Sequence, residues 1–209
     1  MPVGYCESRT RQPNAMITLF RAMVLPHLEY CCQLWAPVTI GKVRQIESVQ
    51  RSFTAKIDSV SNLNYWERLK ALNLYSLERR RERYLIIYTF KIVESLTPNF
   101  DCDKFRIKVA NNERRGRLCV VPPINNRALS SVKTMVEASF PVRGPKLFNS
   151  LPADLRNFDG SVDTFKCKLD YFLKIIPDQP CLPAYQQPAS SNSIIEQLAV
   201  LRAAGIYYH

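Results

Sequence analysis

The chain has 209 residues, 46% of them hydrophobic and 22% charged, which is enough apolar side chain to bury a core and argues against a disordered tail. Its 29 Lys and Arg outnumber 18 Asp and Glu, giving a formal charge of +11 that favours polyanionic partners; the excess is spread out, with 14 basic against 8 acidic residues in 1–100 and 15 against 10 in 101–209. Seven irregularly spaced cysteines, a polar stretch from Met1 to Arg11 and no run of 18 apolar residues argue against a disulfide framework, a signal peptide and a membrane span, so reduced thiols in the cytosol or nucleus are expected.

Taken in chain order, residues 1–13 read as a disordered start. From Asn14, a candidate N-cap, apolar residues at Met16, Phe20, Met23, Val24, Leu28, Cys31, Leu34 and Trp35 have helical spacing, with a kink expected at Pro26. A second helix is predicted after Pro37 on the stripe Val43, Ile46, Val49, Phe53 and Ile57, with Lys42, Arg44, Gln45, Gln50 and Arg51 off that stripe. A third fits Tyr65 to Leu72 between a cap at Asn64 and a C-terminal Asn73. The fourth starts at Ser76 and carries Leu77, Tyr84, Leu85, Tyr88, Ile92 and Leu96 until Pro98 stops it.

Beyond Pro98 the turn formers Asn111, Asn112, Gly116, Pro122 and Pro123 mark a loop-rich middle, with a small hairpin predicted from strands at Phe105–Val109 and Leu118–Val121. Pro145 to Leu151 reads as a short helix, and Ser161 caps another with the stripe Val162, Phe165, Leu169, Phe172, Leu173 and Ile176. Pro177 to Ser193 reads as an extended tail before a terminal helix at Ile194–Ala204. The expected fold is mainly α: an N-terminal bundle of about four helices (14–97), a connector with a small β-hairpin and C-terminal helices (98–176), and a Pro/Ser-rich tail (177–209).

The segment Leu19 to Trp35, with its Pro26-His27-Leu28-Glu29-Tyr30 centre and with Pro37 beyond it, resembles a run found just after the polymerase core of LINE-type, non-LTR retrotransposon reverse transcriptases. Ile46 to Thr54 (Ile-Glu-Ser-Val-Gln-Arg-Ser-Phe-Thr), Tyr65 to Leu74 (Tyr-Trp-Glu-Arg-Leu at its start) and Ser76 to Arg81 (Ser-Leu-Glu-Arg-Arg-Arg) resemble further pieces of that region in the same order. So do Gly144 to Pro152, Ser161 to Leu173 and the tail from Ile176 to Ser193, so that the resemblance covers roughly residues 15–195. It implies a thumb and connector, helices that pack beside a palm and help hold the template-primer duplex of an RNA-directed DNA polymerase. The paired carboxylates such a polymerase needs to hold two metal ions are missing, because the chain has no Asp-Asp pair. The resemblance therefore implies a fragment without the catalytic core, not an enzyme by itself, with no catalytic residue, cofactor or metal site. Its expected partners are an RNA or DNA backbone and a polymerase palm supplied elsewhere, and not a membrane. The alternative is a protein-interaction or structural module whose former palm-contact face is exposed.

Two basic clusters are the candidate nucleic-acid contacts. Arg79, Arg80, Arg81 and Arg83 are expected on the side of their helix opposite Leu77, Tyr84 and Tyr88, where guanidinium forks suit phosphate oxygens; the alternative is a solvated face pairing with Glu78 and Glu82. Lys104, Arg106, Lys108, Arg114, Arg115 and Arg117 lie on the hairpin and its loop, positioned to follow a backbone without reading bases, or to form an ordinary exposed turn. His27 and Cys31 have the spacing of a helical metal pair, but two further ligands would have to come from distant sequence and a buried core cysteine is the simpler reading. Trp35, Trp66, Phe148 and Phe165 read as core anchors.

Overall fold

The computed structural model describes residues 12–35, 37, 39–97, 108–112, 116–125, 127–180 and 192–205, and they form a mainly helical fold with one small antiparallel hairpin. Helix α1 (Pro13–Leu19) begins on Pro13, after an extended Gln12, not at Asn14. Proline is at home in a first turn, where its missing N–H has no partner to lose. The chain continues through a π-helical turn (Phe20–Val24) into α2 (Leu25–Glu29). That wider turn is how the helix accommodates Pro26, which cannot donate to the carbonyl four residues back. The helix ends at Glu29, and Cys31 turns into a left-handed conformation (φ 51°). The predicted stripe therefore breaks off early: Leu34 is 83% exposed, and Trp35 is no core anchor but donates its indole N–H to the Tyr30 carbonyl at 2.5 Å.

Helix α3 (Ile40–Thr54) is capped by Thr39, and it departs most from expectation. It buries Glu47, Gln50 and Thr54, while Val49 on the predicted apolar stripe is exposed. Phe53 still stacks on Phe20, with ring centroids 4.3 Å apart. After a 3₁₀ turn (Asp58–Val60), α4 (Tyr65–Ala71) starts with a complete capping box, Asn64 accepting from Glu67 N–H and the Glu67 carboxylate accepting from Asn64 N–H. Asn73 takes the left-handed conformation (φ 49°) that ends the turn. Helix α5 (Leu77–Val93) is capped by Ser76 and stops at Val93, before the predicted limit at Pro98.

Strands β1 (Lys108–Asn112) and β2 (Gly116–Val120) pair antiparallel with Lys108 opposite Val120, so the hairpin exists but its first strand is shifted along the chain from the predicted one. Helix α6 (Ser130–Ala138), which the sequence reading did not foresee, buries no residue. Helix α7 (Phe140–Ser150) runs longer than predicted, α8 (Ala153–Arg156) is a single turn, α9 (Val162–Ile175) is capped by Ser161 as expected, and α10 (Ile194–Ala203) closes the described chain.

The run from Gly144 to Pro152 accounts for much of this packing. A Cβ on Gly144 would lie 2.7 Å from Thr89 Oγ1, so the glycine lets α7 press directly onto α5. Leu147 and Phe148 are fully buried beyond it. The Asn149 carboxamide imitates a strand, accepting from Cys119 N–H and donating to Cys119 carbonyl, each at 2.8 Å, and so satisfies the outer edge of β2. The main core joins Leu85, Ile86 and Phe90 of α5 to α7, α9 and α10, with Phe90 stacked on Phe165 at 3.9 Å and Ile194 and Leu198 inaccessible to solvent. This core crosses residue 97 and takes in the terminal helix. Leu77 at the start of α5 instead packs with Phe20 and Leu25 in a smaller cluster, and a third cluster gathers Ile17, Ile57, Tyr65 and Leu69.

Candidate functional site

The N-terminal turns of α5 contain the densest basic run, and almost every side chain there reaches a different part of the molecule. A helix start leaves four backbone N–H groups without intrahelical acceptors. Here each has one: Ser76 N–H donates to Asp178 Oδ2 (2.7 Å), Leu77 and Glu78 N–H to the two oxygens of Glu47 (3.1 and 3.3 Å), and Arg79 N–H to Ser76 Oγ (3.1 Å). Glu47 explains why α3 buries a polar face: its carboxylate is the acceptor for α5, and a negative charge is favoured at that end of the helix dipole. Tyr65 donates its hydroxyl to the same carboxylate.

The arginines are anchored in turn. Arg79, with no exposed surface, donates to the carbonyls of Ile176 (3.5 Å) and Pro177 (2.7 Å) and lies 3.7 Å from Asp178. Arg80 forks onto Glu29, and Arg83 onto Asp170 at 2.5 and 2.7 Å. Glu82 accepts from Ser193 Oγ and Ile194 N–H, both at 2.6 Å, and from Arg143 at 2.5 Å, thereby capping α10 from another helix. Glu78 accepts from Asn192 N–H at 3.0 Å. Arg81 is buried as well, facing the charges of Glu47, Glu78 and Glu82, yet its two terminal nitrogens make no hydrogen bond among the described residues.

Burial sets the electrostatics of this hub. It pushes the Glu47 carboxyl above the usual range, against the pull of the Tyr65 hydroxyl and Leu77 N–H, and it lowers the Arg81 guanidinium despite the surrounding carboxylates. Burial, reinforced by the charge of Glu47, raises the Tyr65 hydroxyl far above its usual range. For Arg80 burial acts downward, but the hydrogen bonds and charge of Glu29 outweigh it and leave the group raised.

The predicted open basic face on this helix is therefore absent: Arg79 and Arg81 point inward, and only Arg80 and Arg83 keep partial exposure. Arg117 is also engaged, pairing with Glu94 and donating to the Phe158 carbonyl at 2.9 Å, which ties the hairpin to the end of α5. Lys108 stands at the start of β1, while Lys104, Arg106, Arg114 and Arg115 lie outside the described residues. His27 and Cys31 do not share a helical turn, because α2 ends between them, and among the described residues no three His, Cys, Asp or Glu side chains gather where a metal could be held. Cys32 and Cys119 are buried thiols, raised to about 11 and about 12 chiefly by desolvation. No helix among the described residues is long and apolar enough to cross a membrane.

Several clefts adjoin the hub, among them a small one of about 220 Å³ lined by Tyr75, Arg80, Arg83, Tyr84 and Asp170, and two larger ones. One, of about 480 Å³, lies between α2 and α5 and is lined by Arg21, Pro26, Glu29, Tyr30, Arg80 and Tyr84. The other, of about 390 Å³, lies between α4 and the C-terminal end of α9 and includes Trp66, Lys70, Tyr75, Lys174 and Asp178. Lys70 and Lys174 were not singled out by sequence, since each is a lone lysine and only the fold brings them to one cleft. Trp66, read as a core anchor, is half-buried at its wall. No family model, curated protein or solved structure matches the chain.

Proposed function

We propose that this chain is a helical module that holds a nucleic-acid backbone without making or cutting it, derived from the thumb and connector of a non-LTR retrotransposon reverse transcriptase. It has no polymerase activity of its own, since it carries no Asp-Asp pair, and a palm supplied elsewhere would be needed for synthesis. The observation that carries the binding role is where the surplus charge sits. Buried ions roughly balance one another, Arg68, Arg79, Arg81 and Arg156 against Glu47, Glu78 and Glu82 with partly covered Asp178. Among the described residues the positive surplus is therefore left largely to the surface, where Lys42, Arg51, Lys56, Lys70, Lys146, Lys168 and Lys174 are exposed. Exposed lysines of this kind attract phosphates through counterion release and carry no sequence preference. The lineage is supported by the order of the family-like segments, several of which supply the hub and the α7 packing.

Titration of the purified chain with an RNA–DNA hybrid at several salt concentrations tests this reading. The expected result is an affinity that falls linearly on a log–log plot against salt, together with no primer extension in Mg²⁺. Salt-insensitive or absent binding would overturn the binding role, and any primer extension by this chain alone would overturn the non-catalytic reading. Binding that ignores salt and accompanies self-association would instead favour a protein-interaction module, for which the exposed Leu19, Met23, Tyr30, Leu34, Leu129 and Met135 are the supporting observation.

A further inference from the structure

We propose that the cleft between α4 and the C-terminal end of α9 takes one unpaired nucleotide of a single strand, its base on Trp66 and its phosphate between Lys70 and Lys174. The proposal rests on the nucleic-acid reading above and gives it a specific site. A volume of about 390 Å³ falls in the range of small-ligand sites and admits one base, not a pair. Trp66 is held at the wall by Tyr65, whose ring centroid is 4.9 Å away, so a stacking surface is present before any ligand arrives. Aromatic walls and cationic rims together are what sequence-tolerant single-strand binding requires, because every base has a π-face and every nucleotide a phosphate.

The charges in the cleft favour an anion. Lys70 and Lys174 are exposed, and neither pairs with a carboxylate among the described residues. The acid that lines the cleft, Asp178, is already engaged by Ser76 N–H, Ser76 Oγ at 2.8 Å, Asn192 and Arg79. More positive charge stands close by: the Arg51 guanidinium lies 6.0 Å from the Trp66 ring, and Arg21 donates to the Asn73 carbonyl at 3.2 Å on the cleft's border. Arg80 and Arg83, by contrast, are each closed by a carboxylate fork, which leaves the two-lysine cleft as the stronger phosphate seat.

The chain has two tryptophans, so Trp35→Phe leaves Trp66 as the only indole reporter. In that background, a short oligouridylate should quench Trp66 emission saturably, and the same strand annealed into a blunt duplex should not. The Lys70→Glu/Lys174→Glu variant should lower the log–log salt slope by about 0.7, the share of the one phosphate seated there, whereas Arg127→Glu/Lys133→Glu, with the same charge change outside the cleft, should leave Trp66 quenching intact. Trp66→Ala should weaken binding ~5- to 160-fold, and the exposed lysine variants carry the test if that variant fails to fold. Oligouridylate binding with salt dependence but no Trp66 quenching, equal quenching by the duplex, or a Lys70/Lys174 variant with wild-type slope would overturn the site and leave the general nucleic-acid role standing. No binding of either oligouridylate or hybrid would overturn both.

Discussion

Replacing Glu82 by alanine isolates the contact on which the docking of α10 depends. The carboxylate is 1% exposed and receives three donors, Ser193 Oγ, Ile194 N–H and the Arg143 guanidinium. Arg143 is 31% exposed and can turn to water, whereas Ile194 is fully buried and Ser193 nearly so, so that both lose a carboxylate acceptor away from solvent. A hydrogen bond to a charged group contributes about 1.5–3 kcal/mol, and breaking a buried ion pair from one side costs about 3–5 kcal/mol. Because the two buried donors dominate, Glu82→Ala should destabilise the fold by ~3–5 kcal/mol, and Glu82→Gln, which keeps an acceptor but not the charge, by about half as much.

Against the 5–15 kcal/mol that typically holds a domain together, the alanine change removes a large share, and it does so locally. Urea denaturation gives the total, and hydrogen exchange locates it. Exchange should accelerate first across Ile194–Ala203, because Ile194 and Leu198 lose their anchored entry into the core. A loss below about 1 kcal/mol, or acceleration no greater in α10 than in α3, would refute the idea that Glu82 fastens the terminal helix.

Other consequences follow from the same packing. Asn149→Leu should cost about 2–4 kcal/mol in a denaturant titration, because it strands both backbone groups of Cys119; a loss confined to a few tenths would mean water replaces the carboxamide. Gly144→Ala should lower thermal stability by an amount equivalent to ~1–3 kcal/mol, as the new methyl meets Thr89 and Phe140, and a neutral result would show that α5 and α7 can separate freely. Iodoacetamide should label exposed Cys167 in the folded chain but reach Cys32 and Cys119 only on unfolding, since both are buried and raised to about 11 and about 12. Burial raises the Glu47 carboxyl above its ordinary 4.5, so the folded chain holds that proton more tightly than the unfolded one, and the stability it contributes is lost as pH rises above 4.5. The stability of wild type relative to Glu47→Gln should therefore decline over that window, and a difference that grows with pH would contradict the assigned direction.

What could be read from sequence was local. Asn64, Ser76 and Ser161 cap their helices because a polar side chain can meet a nearby N–H without help from the rest of the fold. Phe148 and Phe165 are fully buried, as aromatics in strong amphipathic stretches tend to be. The failures occurred where distant groups decide. Helix α3 looked amphipathic around Val49, but the free N–H groups of α5, some 30 residues on, draw Glu47 inward and rotate the buried face. Trp35 belonged to a stripe that the left-handed turn at Cys31 cuts off. Lys70 and Lys174 are 104 positions apart, so no window along the sequence could have joined them.

The arginine run shows why composition and geometry must be weighed separately. Four guanidinium groups in five positions suggest a phosphate seat, yet an Arg already forked onto a carboxylate must give up that pair, and reorder the helix holding it, before it can serve an anion. Arg79 would also abandon the carbonyls of Ile176 and Pro177, to which it donates. An exposed lysine gives up only its hydration shell, which is why a surface of lysines binds polyanions weakly, generally and with strong salt dependence. The two kinds of charge should therefore separate experimentally. Arg79→Ala should collapse the junction of α5 with the 176–178 segment and appear as lost stability, whereas Lys70→Glu and Lys174→Glu should leave the melting transition nearly unchanged and appear only in binding. If Arg79→Ala instead left stability intact and weakened nucleic-acid affinity, the division between an internal arginine clamp and an external lysine surface would fail.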